Sequence, residues 1–275
     1  MQKKGVMAMK VYLAICIAMM LGICANDVLA VTIMKELKTA PIKNNLVFFA
    51  VPDNFDAAKP VQVVVYFHGN LDDETFEHVV ARQKLAEQVA DANINAVLVA
   101  PYFDDSVASH VGTFDDAGGF KKFMQEATEH LAALAHVSAS VFEGAPIALI
   151  AYSGGFGPAK ALFTNDVDID SVLLLDAHYG PQKAFVGKAV AIAKRKRGVF
   201  VSAYSQGTNY RAEQFETQFR VIGEHLEKFV PDSFSPGMVA QQFVVGKDIH
   251  FDFVTRAWTA NPVTDFLKKA HSIRP

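Results

Sequence analysis

Cysteine is almost missing. The 275 residues hold two, Cys16 and Cys24, both near the start. A chain trimmed beyond them can use no disulfide, no thiol nucleophile and no cysteine-bound zinc. Its stability must then rest on an apolar core, and a chain of this length can bury a large one. A charge excess is missing too. Lys and Arg number 26 against 29 Asp and Glu, a formal −3, which argues against a general nucleic-acid partner. No apolar run reaches the roughly 20 residues of a membrane-spanning helix. The phosphate-loop signature Gly-Lys-Ser/Thr is lacking, because Lys160 stands between Ala159 and Ala161. The same lysine occupies the place of the last glycine in G-x-G-x-x-G. There is no H-E-x-x-H, and the histidines are not at metal-ligand spacing. No cofactor and no metal are therefore expected. Internal repeats, low-complexity tracts and Pro/Gly/Ser linkers are likewise lacking, which favours one domain. With 51% hydrophobic and 20% charged residues, the chain is neither disordered nor fibrous.

What is present begins with a leader. Lys3, Lys4 and Lys10 precede an apolar run from Val11 to Ile23, followed by Val28-Leu29-Ala30. A basic start, a short apolar stretch and a small residue at the cut describe a secretory signal peptide over residues 1–30. The protein is then secreted or periplasmic, with cleavage near Ala30 and no membrane span afterwards. The alternative is an uncleaved N-terminal anchor. A lipoprotein site fits less well, since Ile23 before Cys24 is bulky.

Residues 31–275 read as one α/β domain. Apolar runs of strand length occupy Leu46–Val51, Val61–Phe67, Ala96–Ala100, Ile147–Tyr152, Val172–Leu175, Val199–Tyr204 and Gln242–Val245. Most are continuous rather than alternating, as in parallel strands covered on both faces. Helical spacing lies between them. One helix is marked by Phe76, Val79, Val80 and Val89. A second runs from Phe120 to Leu134, with Asp115 or Asp116 as its cap. A third carries Phe215, Phe219, Ile222, Leu226 and Phe229. A further helix is expected to open at Asp252–Trp258. The alternation predicts a doubly wound, mostly parallel sheet with helices on both faces. The stretch from Tyr102 to Gly118, with Asp104, Asp105, Asp115 and Asp116, reads as a solvated loop or a substrate-facing flap. The basic run Lys194–Arg197 reads as a solvated helix end.

Chemistry concentrates at Ala151-Tyr152-Ser153-Gly154-Gly155. An apolar strand runs into a serine with small residues two before and two after it. A sharp strand-to-helix turn needs that, because larger side chains would collide where the chain reverses. This is the nucleophile-elbow pattern G-x-S-x-G with alanine first. Earlier, Val63–Phe67 ends in His68-Gly69-Asn70. On these two motifs the sequence resembles the α/β-hydrolase superfamily, over roughly Leu46 to Ala270. The resemblance implies a Ser-acid-His order, which Ser153, Asp176 and His250 supply, each just past a strand end. It also implies an oxyanion hole from the backbone amides of Asn70 and Gly154. The superfamily's acid more often follows the next strand, but Ser205-Gln206-Gly207-Thr208 offers no carboxylate there.

The expected function is an exported serine hydrolase of an ester or thioester, acting through an acyl-enzyme on a small-molecule acyl substrate. His68, Tyr102, Tyr152 and Tyr179 are the candidate substrate-binding residues. Against the general base, His68 reads as a packing and hydrogen-bonding residue, since it stands too early in the chain for the superfamily's order. The alternatives are an amidase or peptidase with the same residues, or a non-catalytic binding protein on the same fold. Oligomeric state stays open.

Overall fold

The computed structural model describes residues 30–42, 45–104, 107–179, 182–246 and 249–274. Eight strands form one sheet: β1 (Ala30–Leu37), β2 (Asn45–Pro52), β3 (Gln62–Phe67), β4 (Ala96–Pro101), β5 (Ile147–Tyr152), β6 (Ser171–Leu175), β7 (Phe200–Tyr204) and β8 (Val239–Phe243). Their order is β1-β2-β4-β3-β5-β6-β7-β8. The first two pairings, β1 with β2 and β2 with β4, are antiparallel; all others are parallel. The expected α/β architecture is therefore observed.

The continuous apolar runs explain the layering. Val63, Val65 and Phe67 of β3 enter one core and Val64 and Tyr66 the other. Leu149 and Ala151 of β5 follow the first pattern, Ala148, Ile150 and Tyr152 the second. On the first face lie α3 (Gly119–Ala135), α4 (Phe156–Thr164), α5 (Gln182–Arg195) and α6 (Asn209–Val221). On the second lie α1 (Phe76–Arg82), α2 (Leu85–Asp91) and α7 (Pro262–Ser272). In α7, Val263, Phe266, Leu267 and Ala270 make one buried stripe, and Pro262 starts the helix where its missing N–H costs nothing.

Several expectations need correction. The helix spacing from Phe215 to Phe229 does not run through. Ile222 closes α6 and Gly223 follows at φ +81°, the left-handed stop that ends helices. Leu226 is buried beyond the helix, and Phe229 is exposed. The run marked by Phe76 to Val89 is two helices, broken at Lys84 with φ +50°. Neither Asp115 nor Asp116 caps α3; Gly118 does, at φ +81°. The last strand starts three residues earlier and ends two earlier than Gln242–Val245, because it stops where its neighbour β7 stops, Tyr204 pairing with Phe243. Asp252–Trp258 forms turns, and the next helix waits for Pro262.

The stretch from Tyr102 to Gly118 is no solvated loop. Phe103, Val107 and Phe114 are fully buried in it. Nor is Lys194–Arg197 a solvated end: Arg195 and Arg197 pair with Asp168, and Arg197 also with the buried Asp170, tying α5 to the start of β6. β1, at the sheet edge, had no counterpart among the expected strands. Among the described residues no helix is long and apolar enough to cross a membrane. The leader, residues 1–29, lies outside the described residues.

Candidate active site

The chain order reverses at β3. From β3 it steps to β4 on one side, then returns to place β5 on the other. In such sheets the crevice between the two strands, at their C-terminal ends, is where ligands bind. Two loops meet there: His68-Gly69-Asn70 after β3, and Ser153-Gly154-Gly155 after β5.

Ser153 adopts φ +49°, a region L-residues avoid. Such strain persists only where surrounding structure fixes it. The small neighbours do that here. A Cβ on Gly155 would lie 2.5 Å from the Phe67 carbonyl oxygen. A Cβ on Gly69 would lie 2.8 Å from the Ser153 Cβ, and one on Gly154 would lie 3.2 Å from the Asn70 amide nitrogen. The loop after β3 thus presses directly on the elbow, and the backbones of Asn70 and Gly154 are neighbours.

Ser153 Oγ lies 2.9 Å from His250 Nε2, and His250 Nδ1 lies 2.6 Å from Asp176 Oδ2. These residues are 97 and 74 positions apart in sequence. The pattern corresponds to a neutral imidazole whose Nδ1–H donates to the carboxylate while Nε2 accepts from the serine hydroxyl. Asp176 is fully buried, at φ +46° just past β6. Burial pushes its carboxyl up. Hydrogen bonds from His250, Thr208 and Ser205 outweigh that and hold it below the usual aspartate range. The Ser205 amide donates at 2.9 Å and the Ser205 hydroxyl at 2.7 Å; the Thr208 hydroxyl donates as well.

Ser205 and Thr208 were not among the expected site residues. They come from the segment after β7, which supplies hydroxyls to the carboxylate that follows β6. The available signal was the pair of hydroxyl residues just past a strand end that lacked an acid.

His250 belongs to a four-residue 3-10 turn, Ile249–Asp252, outside any long element. Side chains from other elements hold it. The Tyr152 hydroxyl donates to the His250 carbonyl at 2.9 Å, Arg82 Nη1 to the Phe251 carbonyl at 3.2 Å, and Gln88 Nε2 to the Val254 carbonyl at 2.8 Å. Tyr152 is therefore tied up in supporting the histidine turn; burial pushes its phenol up. In this arrangement the Tyr152 phenol, expected to bind substrate, positions the histidine turn.

His68 is corrected similarly. Its ring is fully buried. Nδ1 donates to the Gly69 carbonyl at 2.5 Å, and Nε2 accepts from the Phe103 amide at 2.8 Å. Both nitrogens are committed, so the side chain pins two loops and cannot face a ligand. Burial brings its pKa down to about 4. Tyr102 is half-buried, its ring 5.9 Å from His68. Tyr179 is exposed and lies 6.4 Å from the His250 ring; burial of its hydroxyl, with Asp176 adding to it, brings its pKa to about 12. His178 is buried between Phe185 and Phe215, away from solvent. Asp248 lies outside the described residues.

A hollow stands apart from this site. A cavity of about 1200 Å³ opens at the opposite edge of the sheet, between Val61, Asn95, Pro146, Asp170 and Arg197. None of the residues in the hydrogen-bonded series lines it.

No family model matches the chain, and no curated protein sequence matches it. Solved structures do. A mutant feruloyl esterase module from Clostridium thermocellum, complexed with sinapinate, superposes with a TM-score of 0.59 at 13% identity, covering 89% of this chain and 90% of that one. A ferulic acid esterase gives 0.52 at 13%, covering 82% and 93%. An IroE-like serine hydrolase from Shewanella oneidensis gives 0.51 at 11%, covering 87% and 79%. At these identities the likeness is one of architecture: the chain has the α/β-hydrolase fold.

Proposed function

We propose that this protein is an exported serine hydrolase that cleaves carboxylic esters or thioesters of small molecules. One observation carries the reading: the unbroken hydrogen-bonded series from Asp176 through His250 to Ser153, at the strand ends where ligands reach this kind of sheet. The neighbouring structures named as esterases and serine hydrolases agree with it. Residues 31–275 would form one catalytic domain, released by removal of a leader ending near Ala30.

The steps follow from the geometry. Ser153 Oγ attacks the acyl carbon while its proton passes to His250 Nε2. Asp176, ionised and held by four donors, stabilises the imidazolium and keeps Nδ1–H facing it. The amides of Asn70 and Gly154 would receive the oxyanion; one such donor is typically worth about 2.7–4 kcal/mol of barrier. The C–O or C–S bond then breaks, and the leaving group takes the proton from His250. Water, deprotonated by the same imidazole, attacks the acyl-enzyme and frees the acid.

The test is steady-state hydrolysis of short p-nitrophenyl esters and matching thioesters, with p-nitroanilides alongside. Wild-type protein should turn over the esters. Ser153→Ala and His250→Ala should lower kcat/KM by roughly 10⁴ or more while both variants stay folded. A well-folded protein with no Ser153-dependent turnover of any of them overturns the reading.

A further inference from the structure

Large apolar side chains on a protein surface are usually scattered. Here two exposed aromatic rings stand beside the reacting atoms. Tyr179 is 38% exposed and Phe251 57% exposed, and their rings lie 6.4 and 5.8 Å from that of His250. They sit on different sides. Phe251 follows His250 in the turn whose neighbours Ile249 and Phe253 enter the core under α1, α2 and α7. Tyr179 lies 5.8 Å from Phe156, the half-buried first residue of α4, which packs on the other core. Phe156 follows Ser153 by three residues, and the Tyr179 ring meets both the Phe156 ring and that of His250, so the pair makes an apolar wall beside the imidazole that bonds the Ser153 hydroxyl. Neither the hydrogen-bonded series nor the packing of the core uses the open face of Tyr179.

Carboxylates follow both the Asn70 loop and the His250 turn. Asp72, Asp73 and Asp252 are exposed. Asp72 lies near enough to Tyr152 to help push its phenol up. The cations close by are engaged: Arg82 by Glu74 and the Phe251 carbonyl, Arg256 by Asp252. An acyl group bearing a carboxylate would meet the like charge of these carboxylate side chains.

We propose that Tyr179 and Phe156 seat the acyl group, and that the substrates are esters of uncharged acids carrying a flat, ring-sized apolar group. This rests on the hydrolase reading above and names its acyl specificity. A ring laid on Tyr179 would exclude water from the wall while its carbonyl carbon reaches Ser153 Oγ; a methyl group would leave the wall wet.

The experiment compares kcat/KM for p-nitrophenyl benzoate and p-nitrophenyl acetate. Wild-type protein should favour the benzoate. Tyr179→Ala should lower the benzoate-to-acetate ratio at least tenfold, and Tyr179→Phe should restore it, because the ring rather than the hydroxyl makes the wall. Should Tyr179→Ala fail to fold, inhibition of wild-type protein by boronic acids decides the matter. These add reversibly to a serine oxygen. Phenylboronic acid should inhibit at least tenfold more tightly than methylboronic acid, and 4-carboxyphenylboronic acid at least tenfold more weakly than phenylboronic acid. A benzoate-to-acetate ratio unmoved by Tyr179→Ala, or boronic acids of equal potency, overturns the seat while leaving the hydrolase intact. Absence of Ser153-dependent hydrolysis of either ester overturns both.

Discussion

A histidine at a strand end, one loop away from a serine hydrogen-bonded to another imidazole, invites a chemical role. His68 has the place but not the freedom, since Nδ1 and Nε2 are spent on Gly69 and Phe103 and the ring is sealed from water. Its folded pKa, about 4, lies below the ordinary 6.5 because burial disfavours the imidazolium. The sign follows. Between those values the unfolded chain binds a proton that the folded one refuses, so stability contributed by His68 is complete above pH 6.5 and is lost as pH falls towards 4. The expected loss is about 3 kcal/mol. In urea unfolding, His68→Gln should be less stable than wild type at pH 7, and the gap should narrow steadily down to pH 4. A gap that stays constant over that range would show that the ring is not held neutral. Asp176 acts in the same direction at lower pH. Its depressed carboxyl contributes fully above the usual value of 3.8, and the contribution is lost below that.

Elements position these residues through close backbone approaches, and the elbow is the tightest of them. Gly155 has the Phe67 carbonyl oxygen 2.5 Å from where a Cβ would stand, and the His68 carbonyl oxygen at 2.9 Å. Neither obstacle is a movable side chain. Gly155→Ala should therefore destabilise the fold by about 1–3 kcal/mol, read as a lower urea midpoint with unchanged slope. An unchanged midpoint would mean that the elbow has room the geometry denies. This crowding is also why the serine was legible in the sequence: sterics at a sharp turn restrict residue types locally. Strands buried on both faces were legible for a similar reason, since continuous Val, Ile and Leu mark them. β1 was not, because Val31, Ile33 and Lys35 at an open edge carry no such mark. The end of α6 was misread because Leu226 and Phe229 kept helical spacing past Gly223, whose left-handed turn outweighs any apolar pattern. Ser205 and Thr208 escaped because their bond to Asp176 depends on β6 and β7 being neighbours, which no local pattern encodes.

At the scale of the whole molecule, the sheet order does what sequence spacing cannot. Ser153, Asp176 and His250 follow β5, β6 and β8, and the parallel pairing of β5 with β6, β6 with β7 and β7 with β8 brings those ends to one edge. The reversal of strand order at β3 places the His68–Asn70 loop against them. The opposite edge carries a cavity of about 1200 Å³ but none of the series. The central claim is that this edge makes Ser153 a nucleophile activated by His250. Its most direct measurement is reaction with a fluorophosphonate followed by peptide mass spectrometry. The account predicts one phosphonyl adduct, on the peptide containing Ser153, forming roughly a hundredfold or more slowly in folded His250→Gln. Folded wild-type protein that takes up no adduct, or takes it up on another residue, would contradict it.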